Sequence, residues 1–177
     1  MNLFAGLVAT LLAAAPAMAG ELASSPSDAR VAMVTECINA AAQAHRLPPG
    51  VLMILLNVEG GKLGRVSQNT NDTVDIGPMQ INQIWIPAVA RHWRANHAAT
   101  RDALLNSFCA NVEAGAWILR TGIDEAHGDF WEGVAFYHSH SPEHKATYLR
   151  SVLRQVLRLQ ELASRNTAPR TVAAVGG

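Results

Sequence analysis

The sequence has few of the features that would place it at once in a common functional class. Its 177 residues carry 14 basic and 14 acidic side chains, so there is no positive excess of the kind that binds nucleic acid. The sequence has no internal repeat, and its length suits one domain large enough to bury a core. We therefore expect a single globular domain that does not bind nucleic acid.

Long apolar segments are also scarce. The apolar run at the start of the chain, residues 3–15, is shorter than the roughly 20 residues that a membrane-spanning helix needs. The small-residue pattern AMA follows and ends at Ala19, although no Lys or Arg precedes the run. These features predict a signal peptide over residues 1–19, a periplasmic or secreted protein, and no stable membrane span after cleavage.

Only two cysteines are present, Cys37 and Cys109. Export would place them in an oxidising compartment, where a disulfide can form and persist. A catalytic role is disfavoured because neither cysteine lies beside a turn, a glycine or a polar cluster. We therefore expect a disulfide between them rather than two buried free thiols.

Helical patterns cover most of the remaining sequence. Residues 20–27 are expected to form a polar linker, and either Ser27 or Asp28 is expected to cap a first helix that continues to about Arg46. The segment LPPG then interrupts the helical pattern. A second helix is predicted over residues 49–59, with proline in its first turn.

The rest of the chain contains a short polar insert followed by more helices. Asn, Asp and Thr between residues 66 and 76 favour turns or a small hairpin, and helical patterning resumes at Met79. A last helix is predicted to begin with Ser141 as its cap and Pro142 in its first turn. Residues 164–177 lack periodicity and are expected to be disordered. An apolar stripe on the last helix, expected to face the core, comprises Leu149, Val152, Leu153, Val156 and Leu157.

Glu59 ends the apolar run VLMILLNV of the second helix. Leu52, Leu55 and Leu56 lie seven, four and three residues before it, hence on the same helix face. A carboxyl on an apolar face loses hydration in its charged form, which raises its pKa and keeps it protonated near neutral pH, as a general acid requires. The competing interpretation is a structural glutamate that binds a backbone amide or an arginine.

The polar segment after Glu59 favours a binding role. Asparagine and glutamine side chains offer paired donors and acceptors that can recognise the hydroxyl and acetamido groups of sugars. Asx turns explain some of these residues without a ligand, but they do not explain Gln80 and Asn82 within MQIN. The residues concerned are Asn69, Asn71, Thr73, Asp75, Gln80 and Asn82.

Three motifs follow one another along the chain: Glu59 with DIGPMQINQIW, then CANVEAGAWILR, then AFYHSHSPEHKATYLRSV. In this order, over about residues 33–155, they resemble the SLT-type lytic transglycosylases, lysozyme-like enzymes that cleave bacterial peptidoglycan. The resemblance is closest to the small exported enzymes that accompany type III, type IV and conjugal secretion machines. The segment NTNDTVDIGPMQINQIW is also similar to the corresponding segment of chicken-type lysozymes.

The resemblance implies a lysozyme-like fold, mainly α with α+β character, over residues 28–163. It also implies that Glu59 is the catalytic acid and that Tyr148 matches the family's tyrosine close to that acid. Gly60 and His138 stand where the family usually has serine and asparagine, and Pro78 stands in place of a leucine. The predicted substrate-binding residues are Asn69, Asn71, Asp75, Met79, Gln80, Asn82, Tyr137, His138 and Tyr148.

The implied reaction is cleavage of the β-1,4 bond between N-acetylmuramic acid and N-acetylglucosamine. Enzymes of this family use no protein nucleophile or water. The substrate's 2-acetamido group stabilises the oxocarbenium-like centre, and the glutamate then deprotonates the 6-hydroxyl of muramic acid to leave a 1,6-anhydro end. No cofactor and no metal are expected. The expected partners are peptidoglycan glycan strands and components of a secretion or conjugation machine.

Three other interpretations remain open. Asp75 matches the second carboxylate of chicken-type lysozymes, so Glu59 and Asp75 could support hydrolysis, although Asp75 could equally be a turn residue. A module that binds glycans but has lost activity is the second interpretation. The third is a zinc site formed by His138, His140 and His144, although their spacing matches no standard ligand pattern.

The four tryptophans are expected to be mainly structural. Large aromatic side chains at helical positions usually belong to the core. Only Trp85 is expected at the edge of a cleft, whereas Trp93, Trp117 and Trp131 are expected in the core.

Overall fold

The computed structural model describes residues 25–167, and within this range the chain forms seven α-helices, a 3-10 helix at Gln83–Trp85 and one small sheet. The helices are α1 (Pro26–Ala44), α2 (Pro49–Glu59), α3 (Ile86–Trp93), α4 (His97–Asn106), α5 (Phe108–Glu125), α6 (Phe130–His138) and α7 (Pro142–Thr167). The strands are β1 (Val66–Gln68), β2 (Val74–Ile76) and β3 (Ile81–Asn82). The predicted class, a mainly helical domain with a small β insert after Glu59, is confirmed. The predicted signal peptide lies outside the described residues.

The first helix begins earlier than predicted. Its cap is Ser25, whose side chain accepts a hydrogen bond from the Asp28 N–H at 3.2 Å, while the Asp28 carboxylate accepts one from the Ser25 N–H. This reciprocal pair is a capping box, with Pro26 in the first helical turn. The prediction that Ser27 or Asp28 is the cap is therefore wrong, and the predicted linker over residues 20–27 already contains the start of α1.

Helix α2 has the predicted bounds and carries Glu59 as its last residue. Leu52 and Leu55 on its apolar face are fully buried. The helix ends because Gly60 takes a left-handed conformation, with φ of 62°, and its N–H donates to the Leu56 carbonyl. Residues with a Cβ atom rarely adopt this conformation, whereas glycine adopts it readily. Gly60 therefore lets the chain turn sharply just after Glu59.

The β insert is a three-stranded antiparallel sheet in the order β1-β2-β3. The predicted hairpin is present as β1 and β2, in a register that pairs Ser67 with Asp75. The prediction that helix resumes at Met79 is wrong. The chain instead makes a turn in which the Gln80 N–H donates to the Gly77 carbonyl, and β3 then pairs Asn82 with Asp75.

Helix α5 is the centre of the core. It packs against α1, α4 and α6, and its side chains at Val112, Ala116 and Leu119 are buried. The expected disulfide between Cys37 and Cys109 is present and joins α1 to the start of α5. The disulfide therefore closes a loop of the chain that contains all three strands of the sheet.

Helix α7 begins at Pro142 as predicted but continues further than expected. It extends to Thr167, so residues 164–167 of the predicted disordered tail are helical, and residues 168–177 lie outside the described part of the chain. The apolar stripe does not pack uniformly in the core, because Val152 is buried whereas Leu153 and Leu157 are more than half exposed. Within residues 25–167, no helix has both the length and the apolar character that a membrane span requires.

Candidate active site

Glu59 lies at the junction of α2, the β insert and α7. The hydroxyl of Tyr148 on α7 donates a hydrogen bond to Glu59 Oε1 at 2.6 Å. Tyr148 is itself buried. This residue, predicted to bind substrate, thus contacts the carboxyl of Glu59 and is not among the residues that line the cleft described below.

The surroundings of Glu59 keep a large share of its carboxyl groups protonated near neutral pH. The pKa of Glu59 is raised from 4.5 to about 7, and burial is the largest cause. The hydrogen bond from Tyr148 lowers that pKa because it stabilises the charged form, and the negative charge of Asp75 raises it. A carboxyl with this pKa can donate a proton at neutral pH and can accept one back afterwards.

His138 supports Tyr148 from the end of α6. Its imidazole stacks on the Tyr148 ring, with centroids 4.7 Å apart and planes 4° from parallel. Burial lowers the pKa of His138, the neighbouring His144 lowers it further, and the charge of Asp75 opposes both effects. A neutral imidazole thus packs on the phenol that contacts the acid.

Glu59 lines a cleft of about 790 Å³ that lies between the β insert and the region around the end of α6. Eight of the residues predicted for the site line this cleft: Glu59, Asn69, Asn71, Asp75, Gln80, Asn82, Tyr137 and His138. Trp85 also lines it, as expected for a cleft-edge aromatic. Sequence reasoning did not identify Ile84, Ile118, Phe136 and Ser139, which lie on the apolar and polar walls.

The polar residues of the β insert bind one another through Thr73. The amides of Asn69 and Asn82 donate to Thr73 Oγ1 at 3.0 and 2.9 Å, and that hydroxyl donates to Asn71 Oδ1. Asn82 also donates to Asp75 Oδ1 at 2.8 Å. The amides therefore fix the shape of the cleft wall, and Asp75 is held within this network.

Gly61, just after the end of α2, lies very close to Gly77 in the turn that leads to β3. A Cβ atom at Gly61 would lie 2.0 Å from the Gly77 carbonyl oxygen and 2.5 Å from Gln80 Nε2. Only glycine fits there. Gln80 adopts a positive φ of 48° and donates its side-chain amide to the Gly77 carbonyl at 2.9 Å. The turn at 77–80 can therefore lie directly against the residues that follow Glu59.

Met79 does not occupy the predicted position in the cleft. Its side chain is fully buried, so the thioether is a core group and cannot contact a substrate. Its backbone is held on both sides: the N–H donates to Asn111 Oδ1 at 2.8 Å, and the carbonyl accepts a hydrogen bond from the Tyr137 hydroxyl at 2.8 Å. Met79 and Gln80 therefore form part of a fixed turn, and of these two residues only Gln80 lines the cleft.

The histidines suggested as a zinc site make separate contacts instead. His138 stacks on Tyr148, whereas His140 stacks on Phe136 and binds Glu125 at 3.0 Å. Within residues 25–167, the one group of three side chains that could hold a metal ion lies elsewhere, at His45, His92 and Glu113.

The tryptophans differ from expectation in one case. Trp93 and Trp117 are partly buried against the core, as expected for structural aromatics, but Trp131 is 52% exposed. Trp131 lies in the first turn of α6, where its ring meets Phe130 edge-on rather than entering the core.

The profile of one protein family, described as Transglycosylase SLT domain, matches residues 36–155. The matched segment covers about two thirds of the chain and includes Glu59, Tyr148 and the whole cleft. No curated protein matches the chain in sequence.

Proposed function

This chain belongs to the transglycosylase SLT family and is a lytic transglycosylase that acts on peptidoglycan, and from that premise we propose which bond it cleaves. The bond is the β-1,4 linkage between N-acetylmuramic acid and N-acetylglucosamine, and cleavage leaves 1,6-anhydromuramic ends. Glu59 carries both proton transfers. The observation that supports this most strongly is a carboxyl at the cleft whose pKa is raised to about 7 and whose orientation is fixed by Tyr148.

In the first step Glu59 donates its proton to the glycosidic oxygen as the bond to the muramic acid carbon breaks. The leaving N-acetylglucosamine keeps the bonding electrons and the proton, and positive charge develops at the muramic acid centre. The substrate's own 2-acetamido group stabilises that centre. Glu59 is now a carboxylate, and the Tyr148 hydroxyl that donates to Oε1 stabilises its charge.

In the second step the Glu59 carboxylate removes the proton from the 6-hydroxyl of the same muramic acid. The alkoxide oxygen bonds to the anomeric carbon and closes the 1,6-anhydro ring, so no water enters the product. Glu59 returns to its protonated form for the next turnover. A group with a pKa near the working pH can perform both transfers efficiently.

The cleft walls suit a glycan with acetamido groups. The β insert contributes amides through Asn69, Asn71 and Gln80, and the opposite side contributes Ile118 and Phe136. An acetamido group has a polar amide and an apolar methyl, so it can use both kinds of wall. We assign these side chains, with Asp75, Asn82, Tyr137 and His138, to substrate binding.

Hydrolysis by Glu59 and Asp75 is the second candidate function, and one observation favours it. Asp75 lines the same cleft, and its charge acts on Glu59. Against it, Asp75 Oδ1 already accepts the Asn82 amide, as expected for a residue that orders the cleft wall. We therefore assign Asp75 a supporting role.

The location of the enzyme follows from its substrate. Peptidoglycan lies outside the cytoplasm, and the disulfide between Cys37 and Cys109 suits an oxidising compartment. We propose export through a signal peptide over residues 1–19, followed by action in the periplasm or outside the cell. The resemblance of the motifs to the small secretion-associated enzymes supports local wall remodelling around a secretion or conjugation machine.

Substitution of Glu59 tests the assignment of the acid. We expect Glu59→Gln to lower the rate of peptidoglycan cleavage by at least about 100-fold, because the amide cannot donate the proton. Release of soluble muropeptides from purified peptidoglycan measures the rate. Glu36→Gln, at an exposed position on α1, is the matched control and should cleave like the wild type.

The same experiment includes a folding control and a binding control. Glu59→Gln should unfold at a temperature no lower than the wild type, because the substitution removes a buried carboxyl whose charged form is disfavoured. Cleavage by a folded Glu59→Gln variant at the wild-type rate would show that another group is the acid. Glycan binding without cleavage by the wild-type protein would favour the inactive binding module.

A further inference from the structure

His45, His92 and Glu113 meet beside α5, and none of them lines the cleft. His45 caps the end of α1, His92 lies in the last turn of α3, and Glu113 lies in the second turn of α5. The fold therefore brings together three side chains that are distant in sequence.

The three side chains converge on one oxygen atom. His45 Nε2 and His92 Nε2 lie 2.7 and 3.1 Å from Glu113 Oε1. All three potential ligand atoms lie within 4.8 Å of one another. Zinc ligands at roughly 2.0–2.1 Å from the ion stand about 3.3 Å apart in a tetrahedral arrangement. Shifts of less than about 1 Å would therefore admit an ion between these atoms.

Two tryptophans beside the cluster fix the orientation of its side chains. The Trp93 indole N–H donates to Glu113 Oε2, the oxygen that the histidines do not share. His92 stacks on Trp117, with ring centroids 4.7 Å apart and planes 13° from parallel. Hydrogen bonds to the outer atom of a ligand and packing on its ring are the supports that metal sites use.

Solvent reaches the cluster from one side. The His45 side chain is 10% exposed, whereas those of His92 and Glu113 are about 30% exposed. An ion can enter through this opening, and a water molecule can complete a four-coordinate shell there. Two imidazoles with one carboxylate form a donor set that suits Zn²⁺.

We propose that His45, His92 and Glu113 form a binding site for a divalent transition-metal ion, with Zn²⁺ the ion that fits best. The site would tie the ends of α1 and α3 to α5. It adds a second link between α1 and α5, since the disulfide joins Cys37 to Cys109 on the same two helices. Its role is stabilisation, and it is independent of the reaction at Glu59.

Titration calorimetry with ZnCl₂ on the metal-free, untagged chain tests the proposal. We expect one ion per chain, and we expect His92→Gln to weaken binding by at least about 10-fold. Glutamine can still donate to Glu113, so the variant should fold, as circular dichroism would confirm. His144→Gln is the matched control and should bind zinc like the wild type, because His144 lies in the other histidine group.

Two further measurements separate this site from adventitious binding. Zinc should raise the unfolding temperature of the wild type but not that of His92→Gln. Trp93→Phe, which keeps all three ligands but removes the indole donor, should weaken binding by about 10-fold. The proposal is overturned if zinc does not bind at one ion per chain, or if His92→Gln binds zinc as tightly as the wild type.

Discussion

Burial and two neighbouring side chains set the pKa of Glu59, and they act in opposite directions. Burial contributes most and raises the pKa, the Tyr148 hydroxyl lowers it, and the charge of Asp75 raises it. The result, a pKa of about 7, lies where one group can act first as an acid and then as a base. Tyr148 is therefore a positioning residue that also tunes the acid.

Tyr148→Phe should change both the rate and its pH dependence. The acid step needs protonated Glu59, so the cleavage rate of the wild type should fall as the pH rises through about 7. Loss of the phenol removes the contact that lowers this pKa, so the fall should occur at a higher pH in the variant. The maximal rate should drop about 10-fold because the carboxyl is no longer held in place. Rates of muropeptide release across a pH series measure both effects.

Tyr137→Phe is the matched control for this experiment. The Tyr137 hydroxyl donates to the Met79 carbonyl rather than to Glu59, so its removal should leave the pH of half-maximal rate unchanged. A Tyr148→Phe profile that falls at the wild-type pH would contradict the proposed role of Tyr148.

At the scale of elements, α5 holds the β insert through one buried side chain. Asn111 accepts the Met79 N–H and donates to the carbonyls of Ile76 and Leu104, with all three distances between 2.8 and 3.0 Å. Asn111 is fully buried. It therefore connects α4, α5 and the turn that precedes Gln80.

Asn111→Ala should destabilise the protein by about 3 kcal/mol or more, because three buried backbone groups lose their partner. Asn106→Ala, which removes one exposed hydrogen bond to Asp102 within α4, should cost no more than about 1 kcal/mol. Urea denaturation of both variants measures the difference. Equal effects from the two substitutions would contradict the structural role of Asn111.

Local sequence signals account for the elements that were predicted correctly. Helix α2 and the start of α7 follow from proline in the first turn, and apolar spacing places Glu59 on the buried face of α2. β3 could not be predicted in this way. It has two residues, and pairing with β2 rather than propensity determines its conformation.

The supports of the site depend on contacts that are distant in sequence. Tyr148 lies 89 residues after Glu59, so no local pattern shows that its hydroxyl would reach the carboxyl; the family resemblance provided that expectation. The sequence also did not predict the burial of Met79 or the cluster of His45, His92 and Glu113. Both depend on how α5 packs against elements that are distant in sequence. Apolar spacing predicts a carboxyl on the buried face of α2 and the family resemblance predicts its role as the acid, whereas the fold determines what surrounds it.

At the scale of the whole molecule, the disulfide closes a loop that contains α2, the β insert, α3 and α4. Cys37 and Cys109 are 72 residues apart, and a loop of that length restricts the unfolded chain by about 4 kcal/mol. We expect the double variant Cys37→Ala, Cys109→Ala to lose about that much free energy of unfolding, which denaturant titration would measure. Reductant should destabilise the wild type but not the variant. A variant within about 1 kcal/mol of the wild type would contradict this role.

The central claim is that Glu59 completes the reaction without water, and the mass of the products tests it most directly. Purified peptidoglycan is digested in isotopically labelled water, and the released muropeptides are weighed by mass spectrometry. We predict 1,6-anhydromuramic ends, one water lighter than reducing ends and free of label, and no such products with Glu59→Gln. Reducing ends that carry the label would instead show hydrolysis and would assign Asp75 a direct part in the chemistry.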